Sequence, residues 1–92
     1  MKYRFRVAKP FHRDLAKLPP GQSRSAVKAF KIFKQNPFDP RLRTHKIHSL
    51  SAQYGKTIYS VYIEADLRAV FYIENNIVWS VAIGTHAIYR GG

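Results

Sequence analysis

The residues best suited to chemistry lie close to the C-terminal end of the sequence. The segment VWSVAIGTHAIYRGG, residues 78–92, begins as an apolar strand that ends at Gly84, and polar groups follow at Thr85, His86, Tyr89 and Arg90. An imidazole titrates near working pH, a guanidinium matches phosphate oxygens with a planar fork of donors, and a phenol stacks on a base or donates a proton. Cleavage of RNA without metal needs a base for the 2′-hydroxyl, an acid for the departing 5′-oxygen and a cation for the phosphate. The end of this strand is therefore the first candidate site.

A predicted hairpin brings more of these groups to the same sheet edge. Asn75 and Asn76 suit a two-residue turn, since Asn tolerates positive φ. Counting back from that turn sets Arg68 opposite Ile83, at the end of the last strand. The cluster expected at this edge comprises Arg68, His86, Tyr89 and the carboxylate of Asp66.

The predicted elements that must position this cluster form one α+β domain spanning residues 1–92. They are a strand at Tyr3–Val7, a helix at Pro10–Leu18, a turn at Pro19-Pro20-Gly21, a helix capped by Ser23 or Ser25 and ended by Asn36-Pro37, and strands at Thr57–Ile63, Leu67–Ile73 and Ile77–Ile83. Residues 38–53 have no clear period and are predicted to be loop. This order favours an antiparallel sheet with a helical hairpin on one face.

The charge balance points to a polyanionic partner. The chain carries 16 Lys and Arg against 5 Asp and Glu, a formal net charge of +11. Self-repulsion on so small a body is relieved by nucleic acid or an acidic protein. The absence of cysteine excludes disulfides, thiolate catalysis and cysteine-based metal sites. No apolar stretch approaches the ~20 residues of a membrane helix, and MKYRFRV is too short and charged for a secretory signal, so we expect a cytoplasmic protein without membrane contact.

A second group of basic residues lies in the middle of the chain. The predicted second helix and the loop after it carry Lys28, Lys31, Lys34, Arg41, Arg43, His45, Lys46 and His48. The spacing of His45 and His48 occurs in metal sites, but no third ligand is apparent, and we expect no metal and no other cofactor.

Three motifs resemble toxins of the RelE superfamily, most closely the YafQ-like branch of mRNA interferases. They are THKIHSL at residues 44–50, YIEADLRAVFYI at residues 62–73 and IGTHAIYR at residues 83–90. The resemblance implies two N-terminal helices on a four-stranded antiparallel sheet. It also implies the toxin of a type II toxin–antitoxin system, which binds a cognate antitoxin and cleaves mRNA in the ribosomal A site without metal.

The resemblance assigns roles to individual residues. His86 matches the family's C-terminal histidine, a general acid or base, and Asp66 matches the acidic residue at the head of the third strand. His45 matches the histidine of the middle motif, with His48 as the alternative. Arg68 lies where a phosphate-binding arginine is expected, and Tyr89 lies near a late aromatic. The chain departs from the family pattern in this strand: Tyr62 stands where the YafQ-like branch has a histidine, and Ser60 and Tyr62 stand where RelE itself has two lysines. The resemblance therefore leaves open whether Tyr62 or His45 acts as the general base. The residues expected to contact RNA are Lys28, Lys31, Lys34, Arg41, Arg43, Lys46, His48 and Arg90.

Two other functions fit the same features. A ParE-like protein shares the fold and inhibits DNA gyrase by binding, although such chains generally lack the histidine, aspartate and arginine set. A non-catalytic RNA-binding domain would explain the charge alone. The pair His86 and Asp66 favours the nuclease.

Overall fold

A five-stranded sheet forms the centre of the molecule, with helices on both of its faces. The computed structural model describes residues 2–90, except for the side chains of His86 and Arg90. Its elements are β1 (Arg4–Val7), α1 (Lys9–Ala16), α2 (Pro20–Gln35), a 3-10 helix (Pro40–Leu42), β2 (His45–Lys46), α3 (His48–Tyr54), β3 (Tyr59–Glu64), β4 (Leu67–Glu74), β5 (Ile77–Gly84) and a C-terminal 3-10 helix (His86–Arg90). The strand order is β1-β5-β4-β3-β2. No helix in the described part of the chain has the length and apolar character to cross a membrane.

The α+β class predicted from the sequence is confirmed, with two differences in the sheet. The short strand β2 adds a fifth strand at one edge, where it pairs antiparallel with β3. At the other edge β1 runs parallel to β5, while β3, β4 and β5 are antiparallel as expected. The extra strand comes from the basic segment that was predicted to be loop.

The helices α1 and α2 cover one face of the sheet and form the larger core. Phe11 of α1 and Phe33 of α2 are almost fully buried, and Phe33 packs edge-on against Phe71 of β4 with centroids 5.0 Å apart. The predicted turn at Pro19-Pro20-Gly21 is wrong, because α2 already begins at Pro20. Proline suits the first helical position, where its fixed φ is helical and its missing N–H has no partner to lose.

The hairpin from β4 to β5 confirms the predicted turn and corrects the predicted register. Asn75 and Asn76 have φ of 53° and 63°, the left-handed values that a tight two-residue turn requires. Pairing follows the prediction as far as Phe71 opposite Ser80 and then shifts by one residue at a β-bulge. The bulge places one more residue on β5, so Arg68 lies opposite Gly84 rather than Ile83.

The helix α3 covers the opposite face of the sheet, which we call the α3 face; it carries Ser60, Tyr62, Val70 and Ala82. Prediction of this segment as loop was wrong. Its helix has seven residues and only Leu50 fully buried, too few for a helical period to be visible in the sequence. Gly55 ends the helix with φ of 68°, a left-handed conformation that glycine adopts without strain.

Candidate active site

The hairpin from β3 to β4 sets Tyr62 directly beside Arg68 on the α3 face. The guanidinium carbon of Arg68 lies 4.6 Å from the centre of the Tyr62 ring. One guanidinium nitrogen, Nη1, also donates hydrogen bonds to the main-chain carbonyls of Glu64 and Leu67 at 2.8 and 3.2 Å. Because these contacts fix one side of the guanidinium, its position at this end of the sheet is defined before any ligand binds.

The guanidinium of Arg43 lies near the same Tyr62 ring. Arg43 follows the 3-10 helix Pro40–Leu42, and its guanidinium carbon lies 4.9 Å from the centre of the Tyr62 ring. Its backbone has φ of 49°, in the left-handed region that non-glycine residues rarely adopt. Two guanidiniums therefore lie against one half-buried phenol ring, an arrangement suited to holding an anion.

The imidazole of His45 is oriented by the main chain of Arg43. Its Nδ1 lies 2.9 Å from the carbonyl oxygen of Arg43. A carbonyl can only accept, so Nδ1 carries the proton and Nε2 of the neutral ring carries the lone pair. Because His45 of β2 pairs with Ser60 of β3, His45 lies on the α3 face. Tyr62 lies two residues after Ser60 on the same face of β3. This is the arrangement required of a general base.

The C-terminal 3-10 helix packs on the α3 face and is anchored there by a hydrogen bond of Tyr89. The Tyr89 hydroxyl lies 2.6 Å from the hydroxyl of Ser60, which is 0% exposed. Gly84 allows this close return, because a Cβ at Gly84 would come within 2.9 Å of the Cγ2 atom of Ile88. The resemblance placed Ser60 where RelE has a lysine, but the sequence did not predict its bond to Tyr89; a serine within an otherwise apolar strand was the available signal.

The remaining members of the predicted cluster lie near this end of the sheet. His86 opens the C-terminal 3-10 helix, two residues after Gly84, which is the register partner of Arg68. The side chains of His86 and Arg90 lie outside the described part of the structure, so their roles stay predictions. Asp66 occupies the turn between β3 and β4 with φ of 61° and is exposed. It lies two residues before Arg68.

The basic residues predicted to bind RNA divide between the two sides of the molecule. The exposed Lys31 and Lys34 belong to α2, which packs on the face opposite Tyr62 and Arg68. Lys28 reaches the edge of the sheet, where it lines a cleft of about 180 Å³ together with Arg41 and Tyr62. Lys31 and Lys34 therefore cannot share the α3 face with the predicted active site, whereas Lys28 borders the cleft beside Tyr62. Lys46 in β2 and His48, the first residue of α3, are both exposed.

Arg41 is already engaged by a carboxylate. Its Nε and Nη2 donate to the two oxygens of Asp39 at 3.0 and 2.9 Å. Hydrogen bonds from the Arg41 side chain and main chain lower the pKa of Asp39 to about 2, and the same pair raises the pKa of Arg41. Arg41 therefore carries less uncompensated charge than its neighbour Arg43. Among the side chains that the structure describes, no three His, Asp or Glu form a metal-binding group.

Comparison with known proteins finds matches to the fold of this chain and none to its sequence. No protein-family model and no curated protein matches the chain. Solved structures match over nearly its whole length. The RelBE2 toxin–antitoxin complex from Mycobacterium tuberculosis gives a TM-score of 0.68 at 20% identity, covering 94% of this chain and 100% of that chain.

Two further solved structures match equally well. YafQ from E. coli gives a TM-score of 0.69 at 15% identity, covering 95% of this chain and 97% of that chain. The YoeB/ParE toxin from Agrobacterium tumefaciens gives 0.70 at 11% identity, covering 90% and 98%. The chain therefore has the fold of the RelE/ParE-superfamily toxins, as its motifs predicted.

Proposed function

We propose that this protein is the toxin of a type II toxin–antitoxin system and cleaves mRNA on the ribosome as a metal-independent endoribonuclease. The observation that carries the proposal is the grouping of Arg68, Tyr62 and His45 on one face of the sheet, with Arg43 against the same ring. Binding alone does not require an imidazole whose tautomer is fixed beside paired guanidiniums. The toxin fold supports the same assignment.

His45 is the proposed general base. Its Nδ1–H is held by the Arg43 carbonyl, so Nε2 is the nitrogen that accepts the proton of the ribose 2′-hydroxyl. The 2′-oxygen then attacks the adjacent phosphorus while the bond from phosphorus to the 5′-oxygen breaks. The products are a 2′,3′-cyclic phosphate and a strand with a free 5′-hydroxyl.

Arg68 and Arg43 are the proposed phosphate-binding residues. Charge on the phosphate oxygens grows as the new bond forms, and guanidiniums already oriented at that position stabilise it without further reorganisation. The Tyr62 ring contacts both guanidiniums, and its proposed role is to position them against the substrate phosphate. This gives a physical role to the phenol that replaces the histidine expected from the family.

His86 is the proposed general acid, protonating the departing 5′-oxygen. Asp66, in the adjoining turn, is the proposed partner that stabilises the imidazolium form of His86. Tyr89 contributes by anchoring the C-terminal 3-10 helix through Ser60, which makes it a positioning residue in this mechanism rather than a proton donor.

The charge supports the remaining partners of the proposal. A net charge of +11 suits contact with ribosomal RNA in the cytoplasm, and an acidic antitoxin segment would neutralise the same surface. In the matched RelBE2 structure the toxin is bound to its antitoxin.

Primer extension on mRNA translated in the presence of purified protein tests the proposal. Wild-type protein is expected to produce cleavage sites that depend on translation and reading frame, and Arg68→Ala and His86→Ala should both abolish them. Both variants should keep the circular dichroism spectrum of the wild-type protein and its binding to the antitoxin. Unchanged cleavage in both variants would exclude this active site, and growth arrest with intact mRNA and DNA damage would favour a gyrase inhibitor of the ParE type.

A further inference from the structure

We infer that a second site on the α3 face, formed by Tyr72 and Trp79, binds an unpaired base of single-stranded RNA. The two residues are register partners on β4 and β5, and their rings stack with centroids 6.5 Å apart and an interplanar angle of 22°. Both side chains are only half-buried. They lie on the face away from α1 and α2, so neither helix of the large core covers them.

Three cations surround this aromatic pair. On the parallel strand β1, Arg6 pairs with Trp79 and Arg4 pairs with Ile77. Both arginines therefore lie on the same face of the sheet as Trp79. Both are exposed. On the other side the Nζ atom of Lys56 lies 4.3 Å from the centre of the Tyr72 ring and 3.3 Å from a carboxylate oxygen of Glu74.

This combination matches the chemistry of single-stranded nucleic acid. Platforms that bind unpaired strands combine a flat aromatic surface for the bases with cations for the backbone. Lys56 already occupies the ring face of Tyr72, so Trp79 is the ring on which we expect a base to stack, with Arg4 and Arg6 on the adjoining phosphates. An acidic protein segment would be attracted by the same cations but would not need a planar ring.

The aromatic pair is separate from the proposed active site. Tyr72 lies four residues beyond Arg68 on β4, about 13 Å at the usual rise of a strand. Leu50 of α3 and the C-terminal 3-10 helix pack against the sheet between them, over Val70. The pair therefore contacts a part of the RNA other than the phosphate that is cut, and its binding does not depend on cleavage.

Trp79 is the only tryptophan in the sequence, so its fluorescence reports on this site directly. The probe is a 2′-O-methyl RNA oligonucleotide, which cannot be cleaved through its 2′-oxygens. Binding is expected to quench or shift the emission of Trp79 in the wild-type protein. An abasic phosphodiester chain of equal length and an acidic polyglutamate peptide should leave the emission unchanged.

Variants test the same site by fluorescence anisotropy of the labelled oligonucleotide. Trp79→Leu should weaken binding roughly five- to a hundredfold, the range for loss of one stacked base. Trp79→Phe keeps a ring and should recover most of the affinity. Tyr54→Leu, at an aromatic that is 45% exposed and belongs to α3, is the matched control and should bind as the wild type does.

Two results would overturn the inference. One is tight binding of the oligonucleotide with no change in Trp79 emission and no loss in the folded Trp79→Leu variant. The other is an equal response to the abasic chain or the acidic peptide, which would identify the site as a general contact for anions. Neither result would bear on the cleavage measured by primer extension.

Discussion

At the scale of single residues, Arg43 connects the two halves of the proposed active site. Its main-chain carbonyl fixes the tautomer of His45, and its side chain reaches the ring of Tyr62. Its backbone has φ of 49°, in the left-handed region. An L-residue in that conformation costs roughly 1–2 kcal/mol, so the surrounding structure must maintain it. The sequence identified Arg43 only as one of several basic residues.

Substitutions at Arg43 can separate these two contributions. Arg43→Gly keeps the left-handed backbone and the carbonyl but removes the guanidinium, so cleavage should fall on the order of a hundredfold. Arg43→Ala should lose the same activity and, compared with glycine, about 1 kcal/mol of unfolding free energy through backbone strain. Single-turnover cleavage on translating ribosomes and urea denaturation measure the two effects. A glycine variant that cleaves at the wild-type rate would remove Arg43 from the site.

At the scale of elements, the C-terminal 3-10 helix places the backbone of His86 at the end of β5. It is held by the bond between the hydroxyls of Ser60 and Tyr89 and by the close approach of Ile88 to Gly84. The sequence motif at residues 83–90 suggested the chemistry of this segment. It did not show that a buried serine on β3, 29 residues earlier, anchors it.

A double-mutant cycle measures that anchor. Tyr89→Phe should cost about 1–3 kcal/mol, because it leaves the buried hydroxyl of Ser60 without this partner. Ser60→Ala should also destabilise the protein, and the double variant should lose less than the sum of the two, with a coupling of at least about 0.5 kcal/mol. Urea denaturation of the four proteins gives the cycle. Strict additivity would mean that the hydroxyl pair does not stabilise the docked helix.

At the scale of the whole molecule, the positive charge is spread over two opposite sides. The proposed active site and the aromatic pair share the α3 face, whereas Lys31 and Lys34 project from α2 on the far side of the sheet. A strand bound at the active site cannot contact these lysines. We therefore expect the α2 lysines to add affinity for ribosomal RNA without taking part in cleavage.

Replacing Lys31 and Lys34 together with glutamine tests this division. Ribosome binding should lose about 1.4–1.8 units from the slope of log affinity against log salt, because two phosphate contacts are removed. The cleavage rate at saturating ribosome concentration should stay unchanged. The paired substitution Asp39→Asn with Arg41→Gln, which conserves net charge, is the control and should leave the slope nearly as it is. A fall in the saturated cleavage rate of the double variant would place these lysines in the reaction instead.

The sequence by itself determined the features that depend on local chemistry. The Asn75-Asn76 turn, the strand periods, the α+β class and the choice of Arg68 as a candidate follow from residue types and short spacings, whereas the resemblance to the toxin family pointed to His45 and Tyr62. Only the tertiary structure decided which side of the sheet each group occupies. One bulge on β5 moved the partner of Arg68 by a residue, and α3 became a helix through the packing of Leu50 rather than through its own period. Both depend on contacts between distant segments, which a reading of neighbouring residues does not contain.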